Sequence, residues 1–316
     1  MKPAEQLKQA AMRLSAELSP DTVTSTIEQP LIILSAPRSG STLLFEFLGR
    51  QNGYWNIGGE SHIVYASMPH LRFENTEKDS SCLGAQHADA HTANLFRAEL
   101  LYLARNHSGT AFMSLPRQER PDNIRLVEKT PRNSLNIPFL KQIFPKAKYI
   151  YLHRDPRQNI ASILEGWTLG LQTGRFATYP DLPGWDRNNW CFLLPRNWRN
   201  MRGKSLAEIA TFQWAESNRE IVSQLAQLPQ TQSFCLSYQD LTDAPVKTLN
   251  RVNSFLGLPQ LDNSETSDQL PLSATTTSTP DANKWKAHEA AIEALMPGLE
   301  PLISGIERFS TTGNGG

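Results

Sequence analysis

Leu31-Ile-Ile-Leu-Ser-Ala-Pro-Arg-Ser-Gly-Ser-Thr-Leu-Leu44 decides how the rest of this chain is read. A short apolar run ends in a tight loop of small residues, and a helical pattern follows at once. Small residues let backbone N–H groups approach an anion, and the helix N-terminus adds its positive dipole end. Gly40 and Thr42 fit the closing positions of the pattern GxxxxGK[ST], with Ser35 at the first Gly and Ser41 at the Lys. An NTPase needs that Lys on the transferred phosphate. Here the cation is Arg38, inside the loop, so the segment suits a phosphate but not the usual ATP chemistry.

Two more runs share this form, Tyr149–His153 and Phe234–Tyr238, and each precedes a helical pattern. None alternates cleanly, as expected of strands buried on both faces. Helices are expected near Ser41–Arg50, Pro156–Trp167 and Ala244–Leu256. Strand-then-helix repetition predicts a mainly parallel sheet covered by helices, with ligands at the carboxyl ends of the strands. Further helices are expected at Ala93–Arg105, Asn136–Ile143, Leu206–Leu228 and Lys284–Ile306. Residues 1–27 read as an amphipathic helix and lead-in, with Leu7, Ala11, Leu14 and Leu18 on one face, docked on the core or used in targeting. Residues 28–316 then form one domain.

The segment 168–204 differs. Tyr179, Trp185, Trp190, Phe192 and Trp198 stand among Pro, Gly and Arg. It reads as a helical, aromatic-rich insertion, either a lid or wall of an acceptor pocket, or plain packing. Its Arg175, Arg187, Arg196 and Arg199 could greet an acidic partner. Asp262–Asn283 reads as a long loop, and the final Ser310–Gly316 as a frayed end.

Composition sets the outer limits. The 316 residues carry 31 Lys+Arg and 31 Asp+Glu, so a general attraction to nucleic acid or to a membrane surface is not expected. Three Cys (Cys82, Cys191, Cys235) are too few and too far apart for a disulfide framework or a zinc site. His87 and His91 have metal-compatible spacing but no third ligand in a recognisable pattern. No signal peptide or membrane span is evident, and unpaired cysteines point to the cytoplasm.

Pro37-Arg38-Ser39-Gly40-Ser41-Thr42-Leu43-Leu44 resembles the 5′-phosphosulfate loop of sulfotransferases that use 3′-phosphoadenosine 5′-phosphosulfate (PAPS). A second match comes at Tyr151-Leu-His-Arg154-Asp-Pro-Arg-Gln-Asn-Ile-Ala-Ser162, where the family places an Arg and, eight residues on, a Ser against the 3′-phosphate. Arg at a strand end offers a planar, permanently charged fork, although Asp155 or Glu165 could instead take it. Glu128-Lys129-Thr-Pro, Tyr238-Gln-Asp-Leu with Phe255-Leu-Gly-Leu258, and Lys284-Trp285 extend the resemblance over most of the chain. It looks closest to bacterial and tyrosylprotein-type enzymes.

The resemblance implies a P-loop-like three-layer α/β/α fold. It also implies a donor site of Arg38, Ser39, Gly40, Ser41, Thr42, Arg154, Ser162, Tyr238 and Lys284. PAPS would be the co-substrate, adenosine 3′,5′-bisphosphate (PAP) the product, and no metal would be required. Arg38 and Lys129 would stabilise the leaving phosphate. Glu60, in Gly58-Gly-Glu-Ser-His62, is the expected general base, its pKa raised by partial burial, with His62 as the rival. The acceptor would carry a hydroxyl on an apolar metabolite, a lipid or a carrier-bound alcohol. The alternatives are an ATP-dependent kinase or NTPase on the same fold, and an inactive nucleotide-binding module.

Overall fold

The computed structural model describes residues 2–73, 79–261 and 281–312. The loop expected at Asp262–Asn283 falls almost wholly outside the described residues, as does most of the expected frayed end.

Among the described residues, eight strands form two sheets. They are β1 (Leu31–Leu34), β2 (Tyr54–Asn56), β3 (Arg105–Asn106), β4 (Arg125–Lys129), β5 (Lys148–His153), β6 (Ala177–Pro180), β7 (Asn189–Cys191) and β8 (Ser233–Ser237). The main sheet runs β3-β2-β4-β1-β5-β8, and only the edge strand β3 is antiparallel. Along β1, Leu31 and Ile33 enter one apolar cluster while Ile32 and Leu34 enter another. Along β5, Ile150 and Leu152 join the first, and Tyr149 and Tyr151 the second. A strand that must be apolar on both faces has no polar side to alternate with, which explains the unbroken runs.

Helices cover both faces. In chain order they are α1 (Pro3–Glu17), α2 (Pro20–Thr26), α3 (Ser41–Gly49), α4 (His62–Ser67), α5 (Ala90–Leu103), α6 (Ile137–Ile143), α7 (Pro156–Thr173), α8 (Leu206–Leu225), α9 (Tyr238–Asp243), α10 (Pro245–Leu256), α11 (Glu289–Glu293) and α12 (Glu300–Thr312). Leu43, Leu44, Phe47 and Leu48 of α3 pack on one face with Leu249, Val252 and Leu256 of α10. The other face carries α5 to α8, and α1 lies on α4 and α5 with Leu7, Ala11 and Leu14 buried. The result is three layers, α/β/α, with β1 at the centre. The chain crosses from β4 on one side of β1 to β5 on the other, so the crevice of this sheet opens at the carboxyl end of β1.

Helix α7 runs to Thr173, six residues past the expected stop, and Gly174 ends it in the left-handed region. Gly166 and Gly170 did not break it because they are contact points: a Cβ on Gly166 would lie 2.5 Å from Phe192 Cζ, and one on Gly170 2.3 Å from Cys191 Sγ. The expected helix from Ala244 is preceded by a separate one, α9, and Pro245 opens α10.

Beyond its first six residues, the segment 168–204 carries less helix than expected. It folds as the β6–β7 hairpin and one 3-10 turn, Trp198–Met201. Its tryptophans are core. Trp190 lies edge-on to Trp167, Trp185 and Trp198, with centroids 5.2, 4.7 and 5.5 Å away. Each indole N–H has an acceptor: Gln213 Oε1 for Trp167, Asn189 O for Trp185, Leu193 O for Trp190 and Asp79 O for Trp198. A buried polar tip costs free energy unless bonded, so this cluster holds the hairpin in one place. Truncating Trp190 to Ala should cost about 3–5 kcal/mol of stability. A urea-denaturation midpoint that hardly moves would show that the hairpin is not part of the cooperative core.

Candidate active site

The β1–α3 loop, the ends of β4, β5 and β8, and the turn before α4 meet at the crevice. Two loop residues take left-handed backbone: Arg38 at φ 63° and Gly40 at φ 91°. Gly40 has no substitute, because a Cβ there would lie 2.4 Å from the Tyr238 ring. Left-handed backbone is costly for Arg38 and persists only where the surroundings over-determine it. They do so through Asn159 of α7: its side-chain carbonyl accepts from Ser39 Oγ at 2.8 Å, and its amide donates to Pro37 O at 2.8 Å. Sequence reading passed over Asn159, although it lies between Arg154 and Ser162 in the quoted segment.

Arg154 leaves the end of β5 and spreads over Tyr238, its guanidinium carbon 4.6 Å from the ring centroid. It donates to Gln158 Oε1 and, at 3.4 Å, to the carbonyl of Arg38. Neither Asp155 nor Glu165 takes it; Asp155 caps α7 instead. Arg157 is the member of this segment that pairs with a carboxylate, Glu293, at 2.5 Å. Ser162 lies one turn beyond Asn159 on α7 and so shares its face. Lys284 opens the 3-10 turn Lys284–His288, which packs on α7, and Trp285 faces Arg157.

Of the four insertion arginines, only Arg175 stands here. Arg38 and Arg175 both lie 5.1 Å from the Phe176 ring centroid. Burial first, then the charges of Arg175 and Arg154, push the Arg38 guanidinium below its ordinary value. Arg199 instead pairs with Asp79, and Arg187 donates to Lys204 O. Three mutually repelling cations around a loop of backbone N–H groups form a cradle for an anion.

Lys129 ends β4, beside Ile33 of β1. Its side chain is 3% exposed. The ammonium donates to Thr42 Oγ1 at 3.1 Å and to Glu60 Oε1 at 2.5 Å. Glu60 Oε2 lies 2.9 Å from His62 Nε2. Burial alone would raise the Glu60 carboxyl, but the His62 hydrogen bond and the charge and hydrogen bond of Lys129 outweigh it and hold the pKa at about 2. This reverses the expected direction, since sequence reading had no way to place Lys129 on Glu60.

The turn bearing Glu60 is stapled to β4. Glu128, fully buried, accepts from Ser61 Oγ at 2.6 Å, Thr130 Oγ1 at 2.7 Å and the Asn133 amide. Thr130 Oγ1 accepts from the Ser61 N–H at 2.8 Å. Burial pushes the Glu128 carboxyl up against the pull of those donors.

A cavity of about 660 Å3 opens beside Glu60 and His62. Phe73, Phe176, Tyr179 and Phe192 supply an apolar wall, and Arg72 and Arg132 also line it. The insertion therefore forms a wall with its phenylalanines and an anchor with its tryptophans. Nothing in the sequence marked Arg72 and Arg132, whose approach is tertiary. His87, weighed as a metal ligand, accepts at Nδ1 from the Gly84 N–H. Among the described residues no group of three or more His, Cys, Asp or Glu gathers for a metal, and no helix is long and apolar enough to cross a membrane.

Removing the Lys129 charge should raise the titration of Glu60 from about 2, because burial is then opposed by His62 alone. In the wild type the depressed pKa adds stability that is present above pH 4.5 and lost as pH falls toward 2. Carbon-13 NMR titration of the Glu60 carboxyl in wild type and Lys129→Met checks the shift. An unmoved titration would break the Lys129–Glu60 assignment.

A family model described as "Sulfotransferase family" matches residues 30–187. Among solved structures, the chain is similar to the sulfotransferase domain from the curacin biosynthetic pathway, with 21% identity, coverage of 91% of this chain and 98% of that one, and a TM-score of 0.46. It is also similar to sulfotransferase STF9 from Mycobacterium avium, at 15% identity, coverage of 92% and 81%, and a TM-score of 0.49. Mouse sulfotransferase SULT7A1 complexed with PAP is 13% identical, with coverage of 95% and 93% and a TM-score of 0.43. A search of curated proteins gives no match.

Proposed function

The chain belongs to the sulfotransferase family, and on that premise we propose that it transfers the sulfuryl group of PAPS to the hydroxyl of an acceptor bound in the cavity beside Glu60. One observation carries the reading. The buried ammonium of Lys129 touches Thr42 of the anion loop on one side and Glu60 of the cavity on the other. Donor cradle and acceptor cavity thus meet at one cation.

The residues fit the donor. The β1–α3 loop with Arg38 would hold the 5′-phosphosulfate end, and Arg154 with Ser162 the 3′-phosphate. Tyr238 and Lys284 would flank the nucleoside. When bound, PAPS supplies a sulfuryl group on a phosphate leaving group. Lys129, Arg38 and the loop N–H groups stabilise negative charge growing on that phosphate; such fixed donors are typically worth about 3–4 kcal/mol of barrier. Glu60 takes the acceptor's proton. In the resting site it is a weak base, because Lys129 holds it ionised. An anion in the cradle competes for the Lys129 ammonium, and as that bond loosens the Glu60 pKa rises and the base strengthens. His62 hydrogen-bonds the second carboxylate oxygen and fixes its direction. The chemistry of these residues asks for no metal, since positioned cations carry the charge stabilisation.

A thermal-shift titration with PAP beside ATP–magnesium tests the donor class. PAP at about 100 times its dissociation constant should stabilise by about 2.7 kcal/mol, and ATP–magnesium should not. The reverse pattern would favour the kinase reading. Arg154→Ala should lose about 1.5–3 kcal/mol of PAP binding, the loss of a charge-assisted fork; unchanged affinity would remove Arg154 from the site.

Glu60→Gln should keep PAP affinity and lower turnover by roughly 10²–10⁴-fold in a PAPS-dependent assay on a phenolic acceptor. A fully active Glu60→Gln enzyme would pass the role of base to His62.

A further inference from the structure

Resting on the sulfotransferase reading, we propose that the acceptor is a small hydroxylated molecule with an apolar body and a carboxylate or phosphate group, and that Arg132 is the residue that selects for the anion.

Arg132 stands three residues after Lys129, in the 3-10 turn Pro131–Leu135 that leaves β4. Three residues span at most ~11 Å of chain, so its Cα lies within that distance of the Lys129 Cα. Its guanidinium is held in place on two sides. It lies over the Tyr65 ring at 4.5 Å, and its Nη2 donates to the carbonyl of Leu71 at 3.3 Å. Its Nε is buried without a hydrogen-bond partner. Among the described residues no carboxylate lies within 4.0 Å of Arg132. A permanently charged group in this setting has one carbonyl and one aromatic face to compensate it, which is poor repayment for lost hydration.

Among the described lining residues no carboxylate is left to make up the difference. Glu60 is the one acidic side chain among its described lining residues, and Lys129 and His62 already occupy both oxygens. Arg72 also lines the cavity and directs two of its nitrogens at the carbonyl of Ala66. Phe73, Phe176, Tyr179 and Phe192 line the same cavity. The wall thus combines guanidinium and aromatic side chains, with the proposed base Glu60 among them. A neutral lipid alcohol would leave the guanidinium uncompensated. A polyanionic glycan would press its charge on the aromatic face. An amphipathic hydroxy acid or hydroxyacyl phosphate satisfies both, and a planar fork already locked by Tyr65 and Leu71 binds such a group with little loss of rotamer freedom.

Calorimetry on the PAP-saturated protein tests this with matched pairs that differ only in charge. The carboxylate arm uses 12-hydroxydodecanoate and 4-(4-hydroxyphenyl)butanoate against their methyl esters. The phosphate arm uses 3-hydroxydodecanoyl-pantetheine 4′-phosphate against 3-hydroxydodecanoyl-pantetheine, and the arm with the larger ratio identifies the source of the anion. The charged member of at least one pair should bind roughly 10–100-fold more tightly. Arg132→Met should bring that ratio close to one, and Arg132→Lys should keep part of it. No preference in any pair, or a preference that survives Arg132→Met, overturns the inference. PAP titration of each variant reports folding and the donor site separately. If the wild type fails to bind PAP, the sulfotransferase mechanism itself falls, a result distinct from PAP binding without anion preference.

Discussion

A buried ammonium cannot stand alone, and the arrangement of this crevice follows from where Lys129 is placed. The parallel register sets it beside Ile33, one residue short of the end of β1, so its side chain emerges at the mouth of the anion loop. At 3% exposure it must find fixed partners in the protein. Thr42 and Glu60 are those partners, and they come from opposite sides: one from the first turn of α3, the other from the turn before α4. The same strand end supplies Glu128 and Thr130, which fasten that turn through Ser61. Removing the cation would leave Glu60 half-buried without its main compensation, while the staple beneath it would still hold the turn.

The anion loop carries a complementary tension. Arg38 is in left-handed backbone and faces the charges of Arg154 and Arg175. Such a state persists because Asn159 grips Ser39 and Pro37 and because the Tyr238 ring closes on Gly40. Pre-organisation of this kind removes reorganisation cost at the moment an anion arrives, which is where fixed charges gain most over mobile ones. The Lys129–Glu60 pair works in the same sense. An unpaired ammonium and an unpaired carboxylate would each be costly in this crevice, so each holds the other until a more anionic competitor enters.

The sheet and the loop were legible in the sequence because both are local in origin. Strands buried on two faces read as unbroken apolar runs, and a strand running into small residues and then a helix leaves little choice of turn. Arg154 was legible for a related reason, because it follows an apolar run that reads as a strand, whereas Lys129 was reached only through the resemblance, since β4 was not among those runs. What stayed hidden depends on distant contacts. The downward shift of Glu60 is set by His62 beside it together with Lys129, a side chain 69 residues away. The extension of α7 past Trp167 was not legible because the packing partners of Gly166 and Gly170, Phe192 and Cys191, come from a later hairpin. Whether the tryptophans were a lid, a pocket wall or plain packing stayed open in the sequence because aromatic content alone cannot tell a core from a pocket wall. Arg72 and Arg132 approach each other only after α4 and the end of β4 are packed.

The insertion also touches the anion loop directly, and this gives the crevice a second junction besides Lys129. Phe176 and Phe192 both hold left-handed backbone, at φ 68° and 59°, a conformation rare for bulky residues. They stack at 5.2 Å, and the Phe192 N–H donates to Phe176 O at 3.1 Å, so the two strained residues fix each other. The buried tryptophans behind them supply the over-determination that such strain needs. Phe176 then shows one surface to the cavity and lies against Arg38 and Arg175. An aromatic ring between two guanidiniums partly compensates their charge and keeps them apart. The two junctions are independent in sequence and meet at one loop. In this fold the anion loop therefore touches the cavity wall through the packing of Phe176 on Arg38 and the Glu60 carboxylate through the charge of Lys129, whose ammonium also reaches Thr42.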